Sequence, residues 1–412
     1  MSIPLAAYEA IVGSSTVAQL RRLGDKLAGL RVVHVNSTRE GGGVAEILEW
    51  MVPYMRDVGL DVSWEVLQGD PLFFDITKAI HNGLQGKSVD FSEKDWRIYQ
   101  DVNEMNAGRL RPLLEEADIV VIHDPQPAGL LKFCPNRRGR WIWRAHIDIS
   151  RPFRGVWKGL RTFVEKYDAS VFSMAEFAQS LPHLQFLIPP SIDPLSEKNR
   201  DMDPAEIAEI GAKFGLDPNR PLIVQISRFD RFKDPVGVIK VYRLVRKVTP
   251  IQLVLAGGGA TDDPEGKAVL EEVLEAVADD PDIHVLLLPM NAHRTINALQ
   301  RLADIILQKS TSEGFGLTVT EGLWKGKPVI GGDVGGIRLQ VANYHNGFLV
   351  SSPEGAALRI RYLLHHRERI GEMGVVAREF VRGNFLLTRH LRECLTLFLA
   401  IRSGQNERIL QV

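Results

Sequence analysis

Short apolar runs alternate along this chain with segments whose apolar residues recur at helical spacing. Arg31-Val-Val-His-Val-Asn36 is the first run and reads as a buried strand. A polar, glycine-rich loop follows at 37–43. A helix is then predicted over 44–58, with Val44, Ile47, Leu48, Met51, Val52 and Met55 on one face and Gly59 ending it. Residues 1–30 form a helical lead-in with Val17, Leu20, Leu23 and Leu27 on one stripe. Further strands are expected at 61–67, 117–125, 140–148, 168–174 and 186–193, and a polar helical stretch at 71–85. From 194 to 221 the chain turns charged, carries Pro204 and Pro218, holds only a short helical stretch at 205–214, and reads as a linker. The alternation then restarts, with strands at 222–227, 251–256, 284–289, 303–308, 327–332 and 346–350. Helices are expected between them and across 353–383, with a last one at 388–402. Continuous apolar strands separated by helices imply parallel sheets covered on both faces. The restart implies two such domains, residues 1–200 and 201–384, with a final helix in 385–412 packing back on the first.

A chain of 412 residues has length for two cores. Its 50 Lys and Arg balance 51 Asp and Glu, so there is no basic excess for a nucleic acid to meet. Cys134 and Cys394, the two cysteines, are too few for a disulfide framework or a zinc site. The first residues lack the basic and then apolar pattern of a signal peptide. No stretch approaches about 18 uninterrupted apolar residues, so no membrane span is expected and the protein reads as cytoplasmic.

In parallel sheets ligands bind beyond the carboxyl ends of the strands. His123 and Asp124 fall at one such end, and Arg144, His146 and Asp148 at the next. Lys78, His81 and Asn82 form a polar cluster at helical spacing, which a solvated helix face explains equally. The Gly41-Gly-Gly43 loop is a generic approach for a phosphate. Glu46 stands where a dinucleotide fingerprint needs its third glycine, and the ending of a P-loop is absent. The most informative stretch is Ser312-Glu-Gly-Phe-Gly-Leu-Thr-Val-Thr-Glu321, which links the run at 303–308 to a helix starting near Leu317. Free amides at a helix start favour an anion. Glu313 before that start and Glu321 just inside it would repel a phosphate but accept from hydroxyls. A ligand anionic in its middle and hydroxylated at both ends fits, and a nucleotide-sugar is one; a capped helix after an ordinary turn fits the decapeptide about as well. Arg228 and Lys233 follow another strand end, where fixed cations can stabilise a departing diphosphate.

Arg228 with Lys233, Glu313-Gly-Phe-Gly-Leu-Thr-Val-Thr-Glu321, Gly326-Lys-Pro-Val-Ile330 and Gly335-Gly336 resemble the retaining nucleotide-sugar glycosyltransferases of the GT-B fold, glycosyltransferase family 4. The likeness narrows to the trehalose glycosyltransferring synthases on His34-Val-Asn-Ser-Thr38, Gly41-Gly-Gly-Val-Ala-Glu-Ile-Leu48, His123-Asp-Pro-Gln-Pro127, His146-Ile-Asp148, Pro189-Pro-Ser-Ile-Asp-Pro-Leu-Ser-Glu-Lys-Asn199 and Asp262-Asp-Pro-Glu-Gly266. It implies an α/β architecture of two Rossmann-like, doubly wound parallel-sheet domains facing a central cleft. It implies glucose transfer from ADP-, UDP- or GDP-glucose to free glucose, giving trehalose. Arg228 and Lys233 would hold the donor diphosphate. Glu313 and the amides of Gly314, Phe315, Gly316 and Leu317 would hold the transferred glucose and phosphate. Glu321 would accept from the ribose, and Gly42 and Gly43 would approach the diphosphate from the other domain. His146 and Asp148 would act at the acceptor side beside His81, Asn82, Asp124 and Gln126. The catalytic set implied is thus Arg228, Lys233, Glu313, His146 and Asp148. No metal site and no tightly bound cofactor are expected, Mg2+ entering only with the nucleotide, and a homodimer is expected. Arg231-Phe-Lys-Asp234 departs from the Trp-Lys-Gly turn of many relatives. Three alternatives stay open: the same fold with a sugar phosphate, glycerate or lipid acceptor; a trehalose phosphorylase; and a non-catalytic nucleotide-sugar sensor.

Overall fold

The computed structural model describes residues 3–40, 42–258 and 264–402. Gly41, Asp262, Asp263 and the segment 403–412, all part of the expectations above, lie outside the described residues.

The chain divides into two compact units, residues 3–191 with 387–402 and residues 192–386. In the first unit the strands are Arg31–Asn36 (β1), Asp61–Val66 (β2), Ile119–His123 (β3), Arg140–Arg144 (β4), Ala169–Phe172 (β5) and Leu184–Leu187 (β6). They form one parallel sheet in the order β2-β1-β3-β4-β5-β6. β1, β3 and β4 are buried at nearly every position, as strands covered on both faces must be. The second unit repeats the plan with Leu222–Ile226 (β7), Gln252–Gly258 (β8), Ile283–Leu288 (β9), Ile305–Gln308 (β10), Val329–Gly332 (β11) and Gly347–Val350 (β12). Its sheet is parallel too, ordered β12-β11-β10-β7-β8-β9. In each sheet the sequence order reverses beside the strands that carry the candidate residues, which is where doubly wound sheets bind ligands.

The structure departs from the sequence reading at four places. The strand expected at 186–193 sits earlier, as β6, because Pro189 and Pro190 lack the amides that would continue its ladder. The helices Glu93–Glu116 and Arg154–Val164 were not anticipated. Residues 192–200, assigned by sequence to the first domain, pack with the second unit. Their charges are not those of a free linker. Asn297 donates to the Glu197 and Arg200 carbonyls at 3.0 and 2.8 Å, and Lys325 donates to Asn199 at 3.0 Å. The helix Leu387–Arg402 lies with the first unit, against the helices Ser14–Lys26 and Gly43–Asp57.

Candidate active site

In the second unit, β7 and β10 are neighbours in the sheet, so the loops after their carboxyl ends lie side by side. Asp234 adopts a left-handed conformation, φ 50°, and caps the helix Pro235–Arg246 by accepting from the Gly237 amide at 3.1 Å. The Thr311 amide donates to the Phe232 carbonyl at 2.8 Å and ties the two loops together. Lys309, itself buried, pairs with Asp234. These ties hold Lys233 against Glu313, with Nζ and Oε2 2.6 Å apart and the Glu313 residue only 8 % exposed. The Ser310 hydroxyl donates to the same carboxylate oxygen at 3.1 Å. The carboxylate is thus paired as well as solvated by a hydroxyl, which is what a buried charge requires.

The loop from Gly314 to Leu317 is held from behind. Gly336 donates its amide to the Glu313 carbonyl at 3.2 Å, and Gln340 donates to the Phe315 carbonyl at 2.6 Å. A Cβ at Gly336 would lie 2.4 Å from the Phe315 Cα, so only glycine permits this approach. Gly316, at φ 85°, turns the chain into the helix Leu317–Trp324, and no side chain caps that helix. The Val319 amide donates to the Gly316 carbonyl at 2.9 Å, which leaves the amides ahead of it to an anion. Arg228 stands nearby in sequence with its side chain 70 % exposed, its guanidinium 3.9 Å from Asp230.

Glu321 lies deeper than the sequence implied. It is fully buried, with Lys198 3.0 Å from Oε1 and Gln300 donating to Oε2 at 3.1 Å. Burial works to raise its carboxyl, but Lys198 and Lys325 outweigh that and hold it below the usual value. In the sequence Lys198 stands within the Pro189–Asn199 run that carries the family resemblance, with no role or partner assigned to it.

In the first unit, strand alternation puts His34, Val121, His123, Ile142, Arg144 and Val171 on one face of the sheet, because His34 is paired with Val121, Val121 with Ile142 and Arg144 with Val171. The helices Gly43–Asp57 and Leu387–Arg402 cover that face. Between them lies a cavity of about 30 Å3 lined by His34, His123, Arg144, His146, His390 and Cys394 among apolar side chains. The His34 ring meets His123 at 3.0 Å, and His123 meets His146 at 2.9 Å. His390 meets the Ser191 hydroxyl at 2.9 Å. Burial, before any charge, pushes all four imidazoles down, His34 to about 3. Among the described residues no group of three or more His, Cys, Asp or Glu converges as metal ligands would.

The other first-unit candidates are dispersed. Asp124, at φ 63°, accepts from the His146 amide at 2.8 Å; burial raises its carboxyl to about 7 against the opposing pull of that amide and of Arg144. Asp148 accepts from the amide and hydroxyl of Ser150 at 2.9 and 2.6 Å, a local turn, rather than joining His146. Gln126 gives its carbonyl to Asn103 at 3.1 Å, while its own side-chain oxygen is buried with no partner among the described residues. His81 shares a hydrogen bond with Gln85 at 3.1 Å, and the Asn82 carbonyl accepts from the Lys87 amide, both near the end of the helix Pro71–Leu84. Gly42, at φ 82°, precedes the helix Gly43–Asp57, which no side chain among the described residues caps.

Residues 34–179 match the model of the trehalose synthase N-terminal domain, and 206–380 that of glycosyl transferases group 1. The trehalose synthase of Pyrococcus horikoshii is 45 % identical over 400 residues, covering 95 % of both chains. That of Rubrobacter xylanophilus is 44 % identical over 401 residues, covering 96 % of both. Solved structures with the same architecture include the α,α-trehalose 6-phosphate synthase of Burkholderia multivorans, at TM-score 0.72 and 15 % identity over 91 % of this chain and 98 % of that one. An Anabaena protein in complex with UDP and glucose superposes at TM-score 0.69 and 15 % identity over 90 % of this chain and 100 % of that one. With such identity along nearly its whole length and two parallel six-stranded sheets of the GT-B type, the chain belongs to the trehalose synthase family of glycosyltransferases.

Proposed function

We propose that the protein transfers glucose from a nucleoside-diphosphate glucose to free glucose, making trehalose with retention at the donor's anomeric carbon. The observation that carries this reading is the Lys233–Glu313 pair beside an uncapped helix start. A cation, a carboxylate and free amides side by side suit a sugar esterified to a diphosphate. Relatives named trehalose synthase supply the product. In this reading Lys233, Arg228 and the amides of Gly314, Phe315, Gly316 and Leu317 meet the diphosphate. Glu313 accepts from the transferred glucose, and Glu321 from the ribose. In the first unit, Gly42 and Gly43 are offered to the diphosphate, and His146, Asp148, Asp124, Gln126, His81 and Asn82 to sugar hydroxyls.

A double displacement would need a free carboxylate beneath the anomeric carbon. Glu313 is committed to Lys233 and Ser310, so it is a poor nucleophile. Front-face transfer avoids the problem. The bond from the anomeric carbon to the diphosphate oxygen breaks, and an acceptor hydroxyl oxygen bonds to that carbon on the same face. The acceptor's proton passes to the departing diphosphate oxygen. Lys233 and Arg228 stabilise the charge that gathers there.

Purified protein incubated with ADP-, UDP- or GDP-glucose and glucose should release one nucleoside diphosphate for each α,α-linked disaccharide, read by chromatography and NMR. Trehalose appearing only from glucose 1-phosphate and glucose, with phosphate released, would replace this reading with a phosphorylase. Glu321→Gln separates binding from chemistry. A ribose contact is equally strong before and during transfer, so donor KM should rise about tenfold with kcat within about twofold. A fall in kcat at unchanged KM would remove the ribose role.

A further inference from the structure

The three linked imidazoles of the first unit constrain one another. The contacts are His34 Nδ1 to His123 Nε2 at 3.0 Å and His123 Nδ1 to His146 Nε2 at 2.9 Å, with the rings stacked 5.3 and 5.2 Å apart. A neutral imidazole carries one N–H and one lone pair. Each contact needs a donor on one side and an acceptor on the other. Only two arrangements satisfy both contacts: every ring protonated on Nδ1, or every ring protonated on Nε2. A mixed state sets two N–H groups, or two lone pairs, against each other. Burial favours neutral rings throughout the chain.

The far end of the chain chooses between the two. His34 Nε2 is buried and has no hydrogen-bond partner among the described residues. It belongs to the residue that, with Arg144, lines the cavity under the helices Gly43–Asp57 and Leu387–Arg402. An N–H there would be an unsatisfied donor facing apolar side chains and a guanidinium, costing about 1–3 kcal/mol. A lone pair there is favoured by the positive charge instead. A water admitted to the cavity would accept from Arg144 and donate to Nε2, with the same result. The arrangement protonated on Nδ1 therefore dominates. At the other end it leaves His146 with its N–H on Nδ1, the nitrogen the chain does not use, on a ring only partly buried.

We propose that His34 and His123 are positioning residues that lock His146 as the Nδ1–H tautomer, so that its outer nitrogen is a fixed donor for a sugar hydroxyl. The tautomer is a statement about the protein alone. Its value to the reaction rests on the reading that His146 faces sugar.

The test uses full-length, 15N-labelled protein without ligand at neutral pH, with long-range imidazole 1H–15N spectra and His146 assigned through His146→Gln. The wild type should show a protonated Nδ1 and an unprotonated Nε2 at His146. His34→Phe fills the same space but cannot donate, and should shift His146 to a mixed or Nε2–H state. His34→Asn places an amide nitrogen where Nδ1 stood, and should keep the wild-type pattern. A wild-type His146 protonated on Nε2, or a pattern unmoved in His34→Phe, overturns the proposal. In turnover, kcat should fall about tenfold in His34→Phe and return to within about twofold in His34→Asn, with donor KM unchanged. If the tautomer moves as expected while kcat does not, the relay stands and the assignment of His146 to the sugar falls.

Discussion

Lys233→Ala lowers kcat by about 10³ while donor KM changes by no more than about threefold. In the free protein the ammonium is already spent on Glu313, 2.6 Å away. Its net attraction for a bound, intact donor is therefore modest. As the bond to the sugar lengthens, charge accumulates on the leaving diphosphate, and the same ammonium gains a stronger partner. An interaction that strengthens on the way to the transition state raises kcat rather than lowering KM. The variant also leaves a carboxylate that is 8 % exposed with the Ser310 hydroxyl as its remaining hydrogen-bond partner among those described above. Stability of the second unit should fall by about 3 kcal/mol, the ordinary cost of orphaning a buried charge. The double variant Lys233→Ala with Glu313→Gln separates the two effects. It should recover most of the stability, because the orphaned charge is gone, and none of the kcat. Urea unfolding followed through Trp324 reads the first quantity and initial rates read the second. If Lys233→Ala keeps kcat within about threefold of wild type, the leaving-group role of Lys233 is lost.

The architecture was legible where burial is continuous. Strands such as Ile119–His123 and Ile305–Gln308 are buried at every position, and uninterrupted apolar runs announce that. The helix Glu93–Glu116 escaped because its buried face, otherwise Tyr99, Ala107, Leu110 and Leu114, is broken by two asparagines. The Asn103 side-chain nitrogen donates to the Tyr99 and Gln126 carbonyls, Asn106 is held by the Gln68 backbone, and the two interrupt the stripe that periodicity detects. The residues around the anion site were legible as a motif, Glu313 through Glu321, because loop chemistry is local. The pairing of Lys198 with Glu321 was not, since the packing of 192–200 on the second unit is what brings them together. The histidines were visible one by one. Their linkage was not, because it depends on the parallel register of β1, β3 and β4, which sets His34 level with Val121 and His123 level with Arg144.

That linkage makes the first unit acid-labile. His34, His123 and His390 are nearly fully buried, and burial holds each imidazole below its ordinary value of about 6.5. The unfolded chain takes up protons on these rings as pH drops through 6.5, and the folded chain refuses them. The stability they contribute is complete above pH 6.5 and is lost as pH falls towards about 3, where His34 finally titrates. Asp124 works the other way. Its folded carboxyl, raised to about 7, keeps a proton that the unfolded chain releases above about 4, so it offsets one ring over this range. Glu321, held low, adds to the loss only below about pH 4.5. With His146, whose ring burial also holds down, four rings less one carboxyl leave three protons, or roughly 4 kcal/mol lost per pH unit between pH 6 and 5. Burial first, and then the charge of Arg144 among the rings, keeps them from charging in place. Urea midpoints at pH 7, 6 and 5, followed through the emission of the buried Trp141 and Trp143, should fall accordingly. His390→Phe removes one ring that refuses its proton and keeps an aromatic ring beside the cavity. Its slope should be about two-thirds that of the wild type. A stability flat from pH 7 to 5, or an unchanged slope in His390→Phe, would mean that the rings accept protons without unfolding, and that the cavity beside Arg144 tolerates charge.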